Sequence, residues 1–343
     1  MRGAEPTVTV IMTVKNDVVG CDETLTALFV QSRQPGEIIV VDGGSTDGTR
    51  GVIARHQTQN PRIRLIEAVG ANISRGRNIA TEAATTDLIA CTDGGCRPEP
   101  TWLQNLVRPI EREPEVEFIA GSYRIAPQSL LEDVVGLCTM RGQLEPVSPS
   151  TFNPSGRSMA YRKSLWERAG GWPEWLQFSE DTLFDHKIRR LGAAWRFASD
   201  AIVNWRPRTT LCAIARQFYN YGTGRGHTQI GARDFGYNLR NLWLLIVILA
   251  LCFVHFLWIA VFALLAGYFY GWTFHERALR VSQRTHRRLA YPLTFVVMWV
   301  VLFSNLAGFV VGCWQRFRQR GRMRWLQDSY LADAPSAGIS DPG

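Results

Sequence analysis

The first ninety or so residues alternate short apolar runs, rich in β-branched side chains, with longer amphipathic stretches. The runs are TVTVIMTV (7–14), EIIVVD (37–42), RIRLIEA (62–68) and DLIACTD (87–93). Helical patterns fall between them: one from about Asp22 to Gln31, one capped by Asp47 and one starting near Ser74. Apolar strands separated by helices of about ten residues predict βαβ units and a mostly parallel sheet, the α/β class. Ligands of such sheets bind beyond the carboxyl ends of the strands. Those ends here read KND, DGGSTD and DGGC.

The pattern changes after residue 230. No formal charge lies between Arg240 and Glu276, a gap whose core is the 31-residue run LWLLIVILALCFVHFLWIAVFALLAGYFYGW. A second run, LAYPLTFVVMWVVLFSNLAGFVVGCW, lies between Arg288 and Arg316. Both exceed the roughly 20 residues that a helix needs to cross a hydrocarbon core. Trp243, Tyr268, Tyr270, Trp272, Tyr291 and Trp314 stand near the ends of the runs, and arginines bracket each one, as at a membrane interface. Buried helices of a large soluble core would need no such flanks. The first run is long for one helix and short for two full crossings, which leaves a tight hairpin, a tilted helix and an interfacial helix pair all open.

Composition sharpens this reading. A chain of 343 residues with 46% apolar and 20% charged positions is too apolar to be disordered. Its net charge of +8 is unevenly spread: residues 1–230 carry 26 Lys/Arg against 25 Asp/Glu, and residues 231–343 carry 12 Arg against 5 acids. Seven of the eight excess charges therefore accompany the apolar runs, which points to anionic membrane lipid and away from nucleic acid. The N-terminal sequence lacks the pattern of a secretory signal, so this part is expected in the cytosol. The seven cysteines (21, 91, 96, 138, 212, 252, 313) are odd in number and include no C-x-x-C pair, against a disulfide framework or a zinc ribbon.

Cys91–Cys96, CTDGGC, poses the sharpest question: a redox pair around an aspartate, or a carboxylate motif that has lost one of its acids. Asp93 leaves an apolar strand there just as Asp42 does in VVDGGSTDGT, where two glycines let the backbone turn before Asp47. Arg75 and Arg77, near a helix start in NISRGRNIA, are either diphosphate contacts or solvated surface charges. In SEDTLFDHKIRRLG (179–192), Ser179, Glu180 and Asp181 open a helix; acids in a first turn favour the helix dipole whatever else they do. His186, His227 and His255 show no metal-ligand spacing and read first as structural residues.

Four of these motifs, in this order, resemble the family 2 glycosyltransferases of the GT-A fold: TVIMTVKN (residues 8–16), VDGGSTDGT (41–49), RNIA (77–80) and DGG (93–95), followed by the ED segment at 178–192. The resemblance spans about residues 7–226. It implies a nucleotide-sugar transferase with a Rossmann-like, mostly parallel sheet. Donor contacts would come from Thr13, Lys15, Asp42, Arg77 and Asp93, with Asp181 as catalytic base and Glu180 orienting it. D-G-G-C-R-P aligns with the family's D-A-D-T-R-P, so Gly95 stands where the second metal-binding acid belongs. Asp93 alone remains for a divalent cation, Mg2+ or Mn2+, which weakens metal dependence without removing it. Gly43 replaces a base-reading acid, with a UDP-sugar still the favoured donor.

The expected organisation is a GT-A catalytic domain over 1–230, membrane-anchoring helices with Arg-rich flanks over 231–325 and a disordered tail over 326–343. The implied activity is inverting transfer to a lipid-linked or polysaccharide hydroxyl by a cell-membrane protein, multi-pass or hairpin-anchored, whose catalytic domain is cytoplasmic. The alternative is a catalytically weak sugar-nucleotide-binding membrane protein that partners other envelope glycan enzymes. No G-x-G-x-x-G follows the first strand, against a dinucleotide enzyme, and no QxxRW precedes the apolar runs, against a processive synthase.

Overall fold

The computed structural model describes residues 6–140, 142–144, 148 and 152–332. They fall into two compact units. The first gathers described residues of Met1–Ala126, Val147–Arg206 and Trp325–Gly343, and the second those of Pro127–Pro146 and Pro207–Arg324.

The first unit opens as β1 (Val8–Val14), α1 (Val18–Phe29), β2 (Glu37–Asp42), α2 (Thr49–Gln59), β3 (Ile63–Glu67), α3 (Ile73–Ala83) and β4 (Leu88–Asp93). It continues with β5 (Cys96–Pro98), α4 (Trp102–Arg112) and β6 (Phe118–Ile125). The chain then enters the second unit as α5 (Leu130–Thr139) and returns as β7 (Met159–Arg162), α6 (Lys163–Ala169), α7 (Glu180–Arg190) and β8 (Trp195–Trp205). The sheet order is β3-β2-β1-β4-β7-β6-β8-β5.

The parallel βαβ half matches the expectation. β1 is buried along nearly its whole length because it is central, paired on one side with β2 and on the other with β4. The register sets Val14 opposite Asp42 and Thr13 opposite Asp93, so both carboxylates stand at strand ends flanking the end of β1. Beyond β4 the sheet is mixed: β7 runs antiparallel to both β4 and β6, and β5 antiparallel to β8. Antiparallel pairing needs no crossover helix, so a strand re-entering after the α5 excursion can join from the opposite direction.

Helix starts differ from the sequence reading where a short polar side chain outcompetes the apolar pattern. α1 begins four residues before Asp22, because the Asp17 carboxylate accepts from Gly20 N at 2.9 Å. α3 begins at Ile73, capped by Asn72. Gly48 is the cap residue of α2, and Asp47 instead accepts from Thr49 N at 3.0 Å.

The second unit is helical: α5, then α8 (Leu211–Thr228), α9 (Ala232–Cys252), α10 (Trp258–Ala266), a π-helical stretch Gly267–Gly271, α11 (Trp272–Thr285) and α12 (Ala290–Arg318). α13 (Arg320–Ala332) follows and runs on into residues of the first unit. Gly222 and Gly226 of α8 lie against Gly308 and Gly312 of α12. A Cβ at Gly222 would sit 2.0 Å from Asn305 O, and one at Gly308 2.0 Å from Tyr219 O. Two small residues four apart on each helix let the backbones touch.

This packing moves the domain boundary. Residues 207–230, assigned by sequence to the catalytic domain, form α8 and belong with α12. The first apolar run is a helical hairpin: α9 ends at Cys252, α10 starts at Trp258 and packs beside it, and Tyr270 OH donates to Asn238 O at 3.3 Å. Two helices, α9 of 21 residues and α12 of 29, are long and apolar enough to cross a membrane. The expected disordered tail is helical over 326–332, where Trp325, Leu326, Tyr330 and Leu331 supply apolar surface; residues 333–343 lie outside the described residues.

Candidate active site

Asp42 ends β2 fully buried. Its carboxylate accepts from Ser45 N at 3.0 Å, from Gly44 N at 3.3 Å and from the Ser45 hydroxyl, and Arg50 Nε lies 3.0 Å away. The turn closes because Gly44 takes a left-handed φ of +93°, which a side chain would strain. Asn16, itself left-handed at φ 52°, joins this turn to the end of β1: its N–H donates to Ser45 Oγ at 2.9 Å and its Oδ1 accepts from Thr46 N at 2.8 Å. Asp42 thus builds the turn after β2 with its charge turned inward. Thr13 is half-buried and Lys15 exposed beside it.

On the other side of β1, Asp93 ends β4 and pairs with Arg77 Nη2 at 2.8 Å. Arg77 Nη1 reaches Glu180 Oε1 at 3.0 Å, and its guanidinium carbon lies 4.6 Å from the centre of the Trp172 ring. Only 2% of the arginine is exposed. Gly156 makes room for it, since a Cβ there would fall 2.0 Å from Nη2. Sequence reading offered Arg77 as a diphosphate contact or a surface charge; the structure buries it and engages it with two carboxylates, one 16 and the other 103 residues along the chain. Burial works against its charge, but Asp93, Cys91 and Glu180 hold its pKa well above the usual arginine value.

Glu180 and Asp181 open α7 as expected, behind Ser179 in a left-handed conformation at φ 64°. Strained residues of this kind gather at functional sites. Glu180 is buried, and its pKa is pushed up to about 7, first by burial and then by the neighbouring Asp181 charge, with Arg77 opposing. The guanidinium that it shares with Asp93 does not fully offset that burial. Asp181 is half-exposed, and its Oδ1 accepts from Thr182 N at 2.7 Å. It is the ED-segment acid that remains open to solvent.

CTDGGC is not a redox pair. Cys91 and Cys96 are fully buried, and burial raises both thiols to about 12, so they stay protonated. Every cysteine is free. Gly95 sits at φ +81°, its N–H donates to Thr24 Oγ1 at 3.1 Å, and a Cβ there would lie 3.3 Å from Asp17 Oδ2. Among the described residues no group of three or more His, Cys, Asp or Glu side chains is placed to hold a metal. Asp93, 30% exposed at its side chain and paired with Arg77 through Oδ1, fits a cation carried mainly by a diphosphate and does not fit one held by protein alone.

His227 lies in the second unit, buried, its Nε2 2.7 Å from Gln315 Oε1, with a pKa lowered mainly by burial. His255 is in the α9–α10 turn. Three contributors escaped the sequence reading: Trp172 beneath Arg77, Gly156 beside it, and Asn16 across the turn after β2. Trp172 lies in GGWPEW (170–175), where nothing local ties it to Arg77.

Comparison with known proteins agrees with this geometry. The Glycosyl transferase family 2 profile matches residues 9–168, and that of Glycosyl transferase family group 2 matches residues 97–311. YdaM of Bacillus subtilis (strain 168), named a probable glycosyltransferase, is 25% identical over 229 residues, covering 60% of this chain and 54% of YdaM. Glycosyltransferase AglE of Haloferax volcanii is 24% identical over 230 residues, covering 66% of this chain and 75% of AglE. The match to YdaM thus spans about half of that relative's length. The solved structure of mannosyltransferase PcManGT from Pyrobaculum calidifontis, in complex with GDP-Man and Mn2+, superposes with a TM-score of 0.51 at 19% identity, covering 100% of this chain and 89% of that one. At that identity the likeness is one of fold.

Proposed function

The chain belongs to the family 2 glycosyltransferases, with their GT-A fold, and from that premise we propose that it transfers a sugar from a nucleotide donor to a hydroxyl of a lipid-linked or glycan acceptor, with inversion. The observation that carries this reading is the Asp93–Arg77–Glu180 bridge, which holds the end of β4 and the start of α7 together and leaves Asp181 open at the same place. Asp181 accepts the acceptor hydroxyl's proton as its oxygen attacks the anomeric carbon, and the nucleoside diphosphate departs on the opposite face. Thr13 and Lys15 flank the donor-side turn that Asp42 holds. Asp93 would hold a divalent cation on the donor diphosphate, where such an ion neutralises charge on the leaving group.

The donor proposed first is a UDP-sugar. GDP-mannose belongs in the same screen because the archaeal mannosyltransferase structure holds it. Purified full-length protein given each nucleotide sugar, with lipid extract as acceptor and with or without a chelator, should release nucleoside diphosphate faster when acceptor is present. Donor binding without release from any donor would favour the catalytically weak partner protein instead.

We further propose that the second unit anchors the chain in the cell membrane, with the catalytic domain on the cytoplasmic side and the arginines on anionic lipid. The apolar part of α9 beyond Arg240 is residues 241–252. At about 1.5 Å per residue it reaches roughly 18 Å, short of the roughly 30 Å hydrocarbon core. Although α9 as a whole is long enough to cross, spanning would draw Arg233, Asp234 and Arg240 into the hydrocarbon, so in this reading the α9–α10 hairpin enters and leaves by one face while α12 spans.

A further inference from the structure

We infer that the C-terminal segment Trp325–Ala332 latches the acceptor side of the site, with Tyr330 as its positioning residue. The word acceptor here rests on the transfer reading above; the latch itself does not.

The Tyr330 hydroxyl donates to Gly171 O at 2.8 Å, and the Lys187 ammonium lies 5.5 Å from the centre of the Tyr330 ring. Both partners belong to elements of the site. Lys187 is on α7, the helix that Glu180 and Asp181 open, and Gly171 immediately precedes Trp172. Burial raises the Tyr330 phenol's pKa, so it remains a hydrogen-bond donor at any physiological pH.

The segment Gly171–Leu176 has holdfasts of its own on α3. Asn78 accepts from Trp172 N at 2.7 Å and donates to Trp172 O at 3.0 Å, while Asn72 donates to Glu174 O at 2.6 Å. Gly171 is left-handed at φ +76°, and a Cβ there would fall 2.9 Å from Asn78 Oδ1, so its backbone has little room on that side. Tyr330 engages its carbonyl. Trp172 then stacks on Phe184 with ring centres 4.2 Å apart and lies beneath Arg77. A continuous series of contacts thus runs from Tyr330 through Gly171 and Trp172 to Arg77, and from there to Asp93 and Glu180. The segment that follows the last apolar helix in the sequence thereby helps to set the wall against which Asp181 works.

Tyr330→Phe removes only the hydroxyl, and Tyr330→Ala removes the ring as well. Both are compared with the parent as full-length chains in lipid nanodiscs. Amide hydrogen exchange should quicken over Gly171–Leu176 by roughly 2- to 10-fold in Tyr330→Phe, the worth of one net hydrogen bond, and by more in Tyr330→Ala, with β1–β4 unchanged. With a donor identified by the screen, the acceptor KM should rise by a similar factor while the donor KM stays put. Unchanged exchange over the loop in both variants overturns the latch. A loosened loop with both KM values moving together overturns its acceptor role. A parent that releases no nucleotide from any donor defeats the transfer reading, and the exchange measurement still decides the latch.

Discussion

Arg77→Met tests whether the buried bridge is what fixes the site. The substitution keeps an unbranched side chain over Trp172 and deletes the charge that neutralises Asp93 at 2.8 Å and Glu180 at 3.0 Å. Removing one partner of a buried ion pair typically costs about 3–5 kcal/mol, because the other charge is left uncompensated. At a pH well above the value of about 7 that Glu180 has beside Arg77, where it would stay ionised, Glu180 supplies most of that cost: its side chain is 10% exposed, whereas that of Asp93 is 30% exposed and recovers part of its hydration. The assay is urea unfolding of the full chain in detergent, followed by amide exchange within β4 and α7. Adding Glu180→Gln to Arg77→Met should restore at least half of the loss, since a neutral amide needs no counter-charge. Lowering the pH should do the same, because protonating Glu180 removes the stranded charge. A loss below about 1 kcal/mol in Arg77→Met, or one that Glu180→Gln leaves untouched, would refute the claim that the guanidinium compensates buried acids.

Asp181→Asn should lower transfer by roughly 10²–10⁴-fold, the usual worth of a general base, with donor affinity intact; near-normal turnover with a lowered melting point would reduce Asp181 to a helix-start acid. The raised pKa of Glu180 has its own pH signature. Its contribution to stability is complete below the ordinary carboxyl value of 4.5 and is lost as pH rises through about 7, so the urea midpoint should fall across that window and Glu180→Gln should flatten the fall. Gly308→Leu should separate α8 from α12, because even a Cβ there falls 2.0 Å from Tyr219 O; an unchanged melting temperature would argue against backbone contact between these helices. A spin label on Val254→Cys, in a chain otherwise free of cysteine, should show greater access to oxygen than to a soluble nickel chelate if the hairpin tip lies in hydrocarbon.

The sequence was most readable where one signal decided the structure. β1 to β4 fell within a residue of the expected runs: β1, β2 and β4 are central strands apolar on both faces, and β3, at the edge, is marked by its β-rich run between turn residues. The carboxylates at their ends followed at once from the parallel order. α1 was misplaced because Asp17 caps it and starts it at Val18, four residues ahead of the expected start, so V-V-G already belongs to the helix. Arg77 was illegible for a different reason: its chemistry depends on Glu180, 103 residues away, and no local pattern announces that meeting. The tail was misread by composition. Small and polar residues dominate its end, but Trp325, Leu326, Tyr330 and Leu331 carry helical spacing that the average conceals. The grouping of residues 207–230 with α12 was not legible because it depends on Gly222 and Gly226 meeting Gly308 and Gly312, far along the chain.

The geometry at Gly95 bears on how this lineage can change. A single-base mutation can turn a glycine codon into an aspartate codon, so placing an acid at position 95 looks trivial in sequence space. In this backbone it is not. Aspartate at φ +81° would carry the left-handed penalty of about 1–2 kcal/mol, and its Cβ would start 3.3 Å from the Asp17 carboxylate that caps α1. The Gly95 N–H held by Thr24 keeps the turn from relaxing into a milder conformation. An aspartate at position 95 would therefore call for a permissive change at Asp17 or Thr24 first, so the local backbone, more than the codon, sets the cost of adding an acid here.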